Sequence, residues 1–336
     1  MTRPPTLRDV ADLAGVSMKT ISRVVNGSGQ VAESTERRVR AAIKELGFRP
    51  NPAARSLRVG YDDAVGVVIE NIGDPFMATL TAGIEERLRE AGKSLIITSG
   101  GYAPENERAA VESLAYRRVA GMIITPTSTS HGYLGDILAG VPVVFVDRPP
   151  VQFDTDSVLA DNEGGAKLAT EHLIAGGHER LAFVGDRIGL FTTSFRYQGF
   201  RTAMAAADIP IHDHLVRTDV VDVATSAAAT REMLASDQPP TAVISANARA
   251  SLGVIRALHQ DEPCVVAHVS FDDFDGAESL SPPVTVIYQD PTGMGRAAAD
   301  LLLQRLADPS GPSRHVLLPT RMIVRGSGEM PPCDRS

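Results

Sequence analysis

At 336 residues, with 43% apolar and 22% charged residues, the chain has the size and make-up of a soluble globular protein of two or three domains. No apolar run approaches the roughly 18 residues that span a bilayer, the first ten residues carry no apolar signal segment, and two cysteines, Cys264 and Cys333, supply neither a zinc quartet nor a disulfide framework. Membrane and secreted classes are therefore set aside, and a cytoplasmic, nucleoid-associated protein is expected. The net charge of −8 is divided unevenly: residues 1–60 hold 11 Lys+Arg against 5 Asp+Glu, a net of +6, and the remainder holds 22 against 36, a net of −14. A small basic head on an acidic body suits a nucleic-acid-binding module joined to something that should not stick to phosphate.

In the head, Thr6 is placed to cap a helix that Asp9 answers as a capping box. Leu7, Val10, Ala11 and Ala14 then fall on one helical face, and Gly15 permits a sharp turn. Val16 reads as a buried staple and Ser17 as the cap of a second helix. Ile21, Val24 and Val25 face inward there, while Met18, Lys19, Ser22, Arg23 and Asn26 face out. Two short helices joined at one glycine make a helix-turn-helix. An arginine fork matches guanine O6 and N7, and asparagine pairs with adenine, so the outer set suits the major groove. A small bundle with a solvated polar face fits the helical pattern alone equally well. A third helix carries Val39, Ala42, Ile43 and Leu46 as its inner stripe and ends at Gly47. Beyond it, Asn51 and Pro52 are start signals for a helix too short to be stable by itself, and Leu57 has nothing local to bury it.

The stretch from Thr6 to Arg58, with "AGVS…TISRVVN" and "GFRPNPAARSL", resembles the lactose/galactose-repressor (LacI/GalR) family of transcriptional regulators. The resemblance implies that Ser22, Arg23 and Asn26 lie on the recognition helix and that Met18 and Lys19 set operator preference. It implies that NPAARSL is a hinge helix that folds only on DNA, with Leu57 wedged into the minor groove, as an apolar wedge that unstacks a base step and bends the duplex. Thr6, Leu7, Ser17 and Thr20 in the head and Asn51, Ala54 and Arg55 in the hinge complete the implied DNA-binding set. Arg37, Arg55 and Arg58 are candidates for phosphate contacts. Ala32 departs from the family, which usually caps the third helix with serine.

From Ala64 onward strand-like and helix-like segments alternate. Ala64–Ile69, Ser94–Ser99, Gly121–Pro126, Pro142–Asp147, Leu181–Gly185, Thr241–Ser245 and Val266–Asp272 read as buried strands. Helical patterns lie between them, for example Pro75–Ala91, Glu163–Gly176 and Arg249–Leu258. The alternation predicts α/β architecture with parallel sheets in two lobes. "NIGDPFMATLTAGIEE", "VPVVFVDRP", "DNEGGAKLATEHLIAGGHERLAFVGD", "FRYQGFRTAM" and "LPTRMIVRGS" extend the resemblance to the family's periplasmic-binding-protein-like sensor. The fold class expected is thus an N-terminal all-α helix-turn-helix domain (1–48), a hinge helix and linker (49–60), and an α/β sensor (61–336). The sensor's two Rossmann-like lobes are expected at about 61–160 plus 290–325 and at about 161–289.

In such a fold the ligand sits between the lobes, at the carboxyl ends of the strands. Carried over position by position, the resemblance implies a set of effector-binding residues. Phe76 and Met77 follow the first strand, Asp147 ends the fourth, and Thr192 and Arg196 precede a helix of the second lobe. Asn247 follows Thr241–Ser245, Asp272 ends Val266–Asp272, and Gln289 begins the last crossover. Arg196 and Asp272 together suit the grip of polyol hydroxyls or a nucleobase edge; an interlobe ion pair is the plainer alternative. Val221 stands where several members carry a stacking aromatic, Ala248 where many carry aspartate, and the chain has no tryptophan to stack on a sugar face.

Gly293-Met294-Gly295 begins a G-x-G-x-x-A match, but Leu301–Leu306 continues a helix where a dinucleotide fold needs a strand, so helix packing is the better reading. Asp273–Gly276 is too short for a calcium loop, His212 and His214 lack further ligands, and neither a catalytic set nor a cofactor is expected. The expectation is a homodimeric repressor of double-stranded operator DNA under a small-molecule effector such as a sugar or nucleoside. The tail from Gly326 has two prolines and no leucine heptad, so no coiled coil is expected. A sugar-binding transport protein needs a secretion signal and lacks such a head, so residues 1–58 argue against it; an enzyme needs a nucleophile–base set or a cofactor loop, and neither is found.

Overall fold

The computed structural model describes residues 5–26, 31–48, 63–138, 140–259 and 266–333. The chain forms two compact units, Met1–Asp62 and Asp63–Ser336.

Among its described residues the first unit has three helices, α1 (Leu7–Ala14), α2 (Met18–Asn26) and α3 (Glu33–Leu46). Thr6 is extended and caps α1, and the Thr6 N–H donates back to the Asp9 carboxylate at 2.6 Å, closing the capping box. Gly15 ends the helix at φ 61°, a left-handed conformation that glycine adopts without a Cβ penalty. Ser17 accepts from Thr20 N–H at 3.2 Å and starts α2. Val10, Ala11, Ala14, Ile21, Val39, Ala42 and Phe48 form the core, with Val16 and Val24 packed on it. The α3 cap, Ala32, makes no side-chain hydrogen bond, so one orphan N–H of that helix goes without the usual serine.

The second unit holds two six-stranded sheets. The first contains β1 (Ala64–Ile69), β2 (Ser94–Ser99), β3 (Gly121–Ile124), β4 (Val143–Val146), β5 (Asp156–Ala160) and β11 (His315–Leu318), in the order β11-β5-β4-β3-β1-β2. The second contains β6 (Leu181–Val184), β7 (Val216–Arg217), β8 (Ala242–Ser245), β9 (Ala267–Phe271), β10 (Thr285–Tyr288) and β12 (Arg321–Ile323), in the order β12-β10-β9-β8-β6-β7. All pairings are parallel except β10 with β12. Every residue of β1, β3, β4, β6, β8 and β9 is buried, as expected of strands with helices on both faces.

Helices α4 (Pro75–Glu90) and α11 (Pro291–Ala307) pack together on the first sheet, and α7 (Asn162–Ala175) and α8 (Phe191–Ala206) on the second. At Gly295 a Cβ would lie 2.2 Å from the Leu80 carbonyl, so the near-match to a dinucleotide loop is a close helix–helix approach. The outer face of the second lobe carries α9 (Val223–Leu234) and α10 (Ala248–Leu258).

Three expectations need correction. The last segment assigned to the first lobe, 290–325, divides: α11 and β11 join the first sheet, but Val286 pairs with Ile323 and Tyr288 with Arg321, which takes β12 into the second. Thr192 and Arg196 do not precede a helix; they lie in the first two turns of α8, whose polar start and uncapped Leu190 carry no start signal. Cys333 is disulfide-bonded, which the count of two cysteines did not lead us to expect.

Candidate nucleic-acid interface and interlobe cleft

On α2, Ile21 is fully buried while Met18, Lys19 and Arg23 are exposed and Ser22 half-buried. The helix therefore turns its cationic side to solvent because its apolar side is held by the three-helix core. Thr6 and Leu7 are half-buried, with Thr6 engaged in capping and Leu7 packed on the core. Ser17 and Thr20 hydrogen-bond to each other at 2.9 Å. Asn26 is the last residue of α2. Arg37 lies 4.0 Å from Glu33 on α3, both side chains largely exposed. Asn51, Ala54, Arg55, Leu57 and Arg58 lie outside the described residues.

In the second unit, charged side chains gather where the strands of both sheets end. Glu70 follows β1, Asp147 and Arg148 follow β4, Asp186 follows β6, Asn247 follows β8, Asp272 follows β9 and Gln289 follows β10. Arg148 grips Glu70 with both terminal nitrogens, at 2.5 and 2.9 Å, and donates to the Pro126 carbonyl at 2.8 Å. Its Nε lies 3.4 Å from the Asp147 carboxylate and has no hydrogen-bond partner. Burial, the largest effect, raises the Glu70 carboxyl above its usual range against the pull of the Arg148 charge, while Glu70 and Asp147 hold Arg148 more strongly protonated than usual despite its burial.

Across from this pair, Arg196 is buried in the second lobe. Its Nε donates to Asn162 at 2.7 Å, one terminal nitrogen donates to the Ala246 carbonyl at 2.5 Å and lies 3.6 Å from Asp272, and its plane sits 3.7 Å from the Phe271 ring centre. Gln289 donates its amide to Asp272. Asp147 and Asp272 end the equivalent strand of each sheet, and both have left-handed backbone, φ 72° and 74°. Such strain persists where surrounding structure over-determines it, commonly at ligand clamps. Burial raises both carboxyls, Asp272 to about 6, against the pull of Arg196. Behind Asp272, the buried His268 bonds Ser245 at 2.8 Å, and Ser245, Ser251 and Ser270 follow at 2.5 Å each, ending on the Asp272 carbonyl at 2.8 Å. Burial pushes the His268 imidazole down to about 3, so this chain stays neutral.

At the rim, Arg249 of α10 pairs with Asp186 at 2.6 Å and donates to the Tyr102 hydroxyl of the first lobe at 2.5 Å. A cavity of about 400 Å³ is lined by Phe76 and Thr79 of α4 and by Asp272, Tyr288 and Gln289. Among the described residues, Thr125 Oγ1, Arg148 Nε and Gln289 Oε1 are buried without hydrogen-bond partners at the ends of β3, β4 and β10. Buried polar groups are rarely left so.

The proposed set is thus only partly brought together. Asp147, Arg196, Asp272 and Gln289 converge, and Phe76 lines the cavity. Met77, 3% exposed, is packed in the core of the first lobe. Thr192 is buried on α8. Asn247 is committed to Asp186 and to capping α10. Val221 is 51% exposed beside the α9 cap. Glu70, Arg148, Asp186, Arg249 and Tyr102 were not anticipated; applying the strand-end rule to every expected strand would have reached the first three. No metal cluster and no helix long and apolar enough to cross a membrane occurs among the described residues.

Comparison with known proteins places both units. Residues 6–51 match the family model described as bacterial regulatory proteins, lacI family, and residues 62–325 that of periplasmic binding proteins and sugar binding domain of LacI family. The ribose operon repressor of Escherichia coli (strain K12) is 32% identical over 328 residues, 96% of this chain and 99% of that protein. The lac repressor dimer bound to operator and the anti-inducer ONPF superposes with a TM-score of 0.87 at 27% identity, covering 97% of this chain and 99% of that one. A LacI family transcriptional regulator from Enterococcus faecium, solved with bound ribose, gives 0.72 at 27% identity, covering 81% and 100%.

Proposed function

The chain belongs to the lacI family of bacterial regulatory proteins, and we propose that it is a homodimeric transcriptional repressor of the bacterial cytoplasm, reading a pseudo-palindromic operator and controlled by a small molecule in the interlobe cleft. The observation that carries the reading is the joining of an exposed cationic α2 to a two-lobed α/β unit with unpartnered buried polar groups in its cleft. Two heads of a two-fold dimer match two half-sites of two-fold DNA. Lys19, Ser22, Arg23 and Asn26 are the proposed base readers, with Met18 tuning preference. Asn51, Ala54, Arg55 and Leu57 are the proposed hinge contacts.

In the cleft, Asp147, Arg196, Asp272 and Gln289 are the proposed grip on an effector, a sugar, a nucleoside or a related metabolite. The ribose operon repressor and the ribose-bound regulator make D-ribose the first compound to try. Effector binding shifts the lobes only as far as it prefers one arrangement; a coupling of about 1–3 kcal/mol corresponds to roughly 5–150-fold in operator affinity. No catalytic role is assigned to any residue. Capture and sequencing of genomic fragments tests the reading. Wild type is expected to enrich a pseudo-palindrome and Arg23→Ala to lose it while keeping its thermal melt; equal enrichment by both removes α2 as the reader.

A further inference from the structure

Three arginines at the strand ends and rim of the cleft are each already held by a carboxylate, as is Arg325, which lines the cavity and pairs with Asp273. Arg148 is held by Glu70, Arg196 by Asp272 and Arg249 by Asp186. Asp147 stands beside the flank of Arg148, whose Nε lies 3.4 Å from its carboxyl group. Arginine is the usual receptor for phosphate because its two terminal nitrogens form a fork. In Arg148 that fork is closed, both terminal nitrogens being bonded to Glu70.

What Arg148 leaves open is its Nε, a buried donor beside an acceptor carboxylate. One hydroxyl satisfies both, accepting from Nε and donating to Asp147. A phosphate dianion accepts from Nε but has no proton to donate to Asp147, and the fork that would hold its other oxygens is closed by Glu70. From this geometry we propose that Glu70 is a specificity-determining residue: by occupying the Arg148 fork it makes the cleft reject phosphorylated ligands and admit their uncharged, hydroxylated counterparts. Discrimination here works by repulsion of the wrong ligand as much as by attraction of the right one. The inference rests on the cleft being the ligand site.

The test is calorimetric titration of inorganic phosphate into the full-length protein without DNA, at constant ionic strength, for wild type, Glu70→Gln, Arg148→Met and Glu70→Gln/Arg148→Met. Wild type is expected to give no saturable heat at millimolar phosphate beyond that of the double variant, which accounts for phosphate held by the basic head. Glu70→Gln opens the fork and is expected to bind about tenfold or more tightly than wild type, equivalent to about 1.4 kcal/mol or more, with the gain abolished in the double variant. The proposal is overturned if Glu70→Gln gains nothing, if the gain survives loss of Arg148, or if wild type already binds phosphate through Arg148, as shown by loss in Arg148→Met. Releasing Arg148 unpaired into a buried site is destabilising. Should Glu70→Gln fail to fold, Glu70→Ala is used, and the wild-type comparison with Arg148→Met still decides. Because no DNA is present, failure here is distinct from failure of effector control, which is read separately as the effect of D-ribose on operator retardation.

Discussion

Asp272 shows how one side chain ties stability to pH. Its carboxyl titrates near 6 when folded, against roughly 3.9 in an unfolded chain. Between those values the folded protein keeps a proton that the unfolded chain has released. The group's contribution is therefore fully present below about pH 4 and is lost as pH rises through about 6, a swing of roughly 2–3 kcal/mol. Asp272→Asn, which does not ionise, is expected to flatten the pH dependence of the urea midpoint between pH 4 and 7; an unchanged slope shows that another group sets it. Strand-end acids such as Asp272 and Asp147 were legible in the sequence because each closes an apolar run. The Glu70–Arg148 pair was not, since nothing local links residues 78 apart and only the sheet order brings β1 and β4 to one end.

Among elements, the returning segment of the first lobe is held by a buried acid. Asp156 opens β5 and is gripped by Arg305 of α11 at 2.9 Å and by Arg314, just before β11, at 2.6 Å. These hydrogen bonds outweigh burial and keep its carboxyl well below the usual range. Its stabilisation is present above an unfolded value of roughly 3.9 and is lost as pH falls below it, opposite in sign to Asp272. Asp156→Ala leaves two half-buried arginines without their carboxylate and is expected to cost about 2–4 kcal/mol in urea unfolding at pH 7; a loss under 1 kcal/mol shows that their remaining bonds to carbonyls and Gln304 suffice. Gly295→Ala drives a methyl group into the Leu80 carbonyl and is expected to cost about 1–3 kcal/mol by the same measurement. The apolar strands were readable to within a residue or two because burial on both faces makes them continuous runs. β5 was not, because Asp156 opens it, and neither was β7, which is two residues long. β12, with exposed Arg321, looks like a loop until Tyr288 and Val286 give it a partner.

For the whole molecule, specificity and affinity for DNA should separate. Phosphate contacts give a steep salt dependence that is independent of sequence, whereas base contacts distinguish one site from another. Leu57→Ala is expected to weaken operator binding about tenfold or more, roughly 1.4 kcal/mol, and to leave non-specific binding nearly unchanged. Fluorescence anisotropy on operator and scrambled duplexes measures both, and equal losses on the two count against a wedge. This division of labour was legible from the split of charge between residues 1–60 and the rest, which needs no knowledge of contacts. The mutual closure of the cleft was not, since Tyr102 and Arg249 stand 147 residues apart and meet only through the fold.

The two lobes exchange the chain three times, and the three passages are laced to one another. Asp161 N–H bonds the Leu318 carbonyl at 2.9 Å, and Arg321 lies over the Tyr288 ring at 4.9 Å. A single tether would let the lobes wander like two weights on a string. Three stitched side by side behave as the leaf of a door hinge, stiff to sliding and twisting and compliant about one axis. The lobes are thus left fewer ways to move against each other than a single tether would allow.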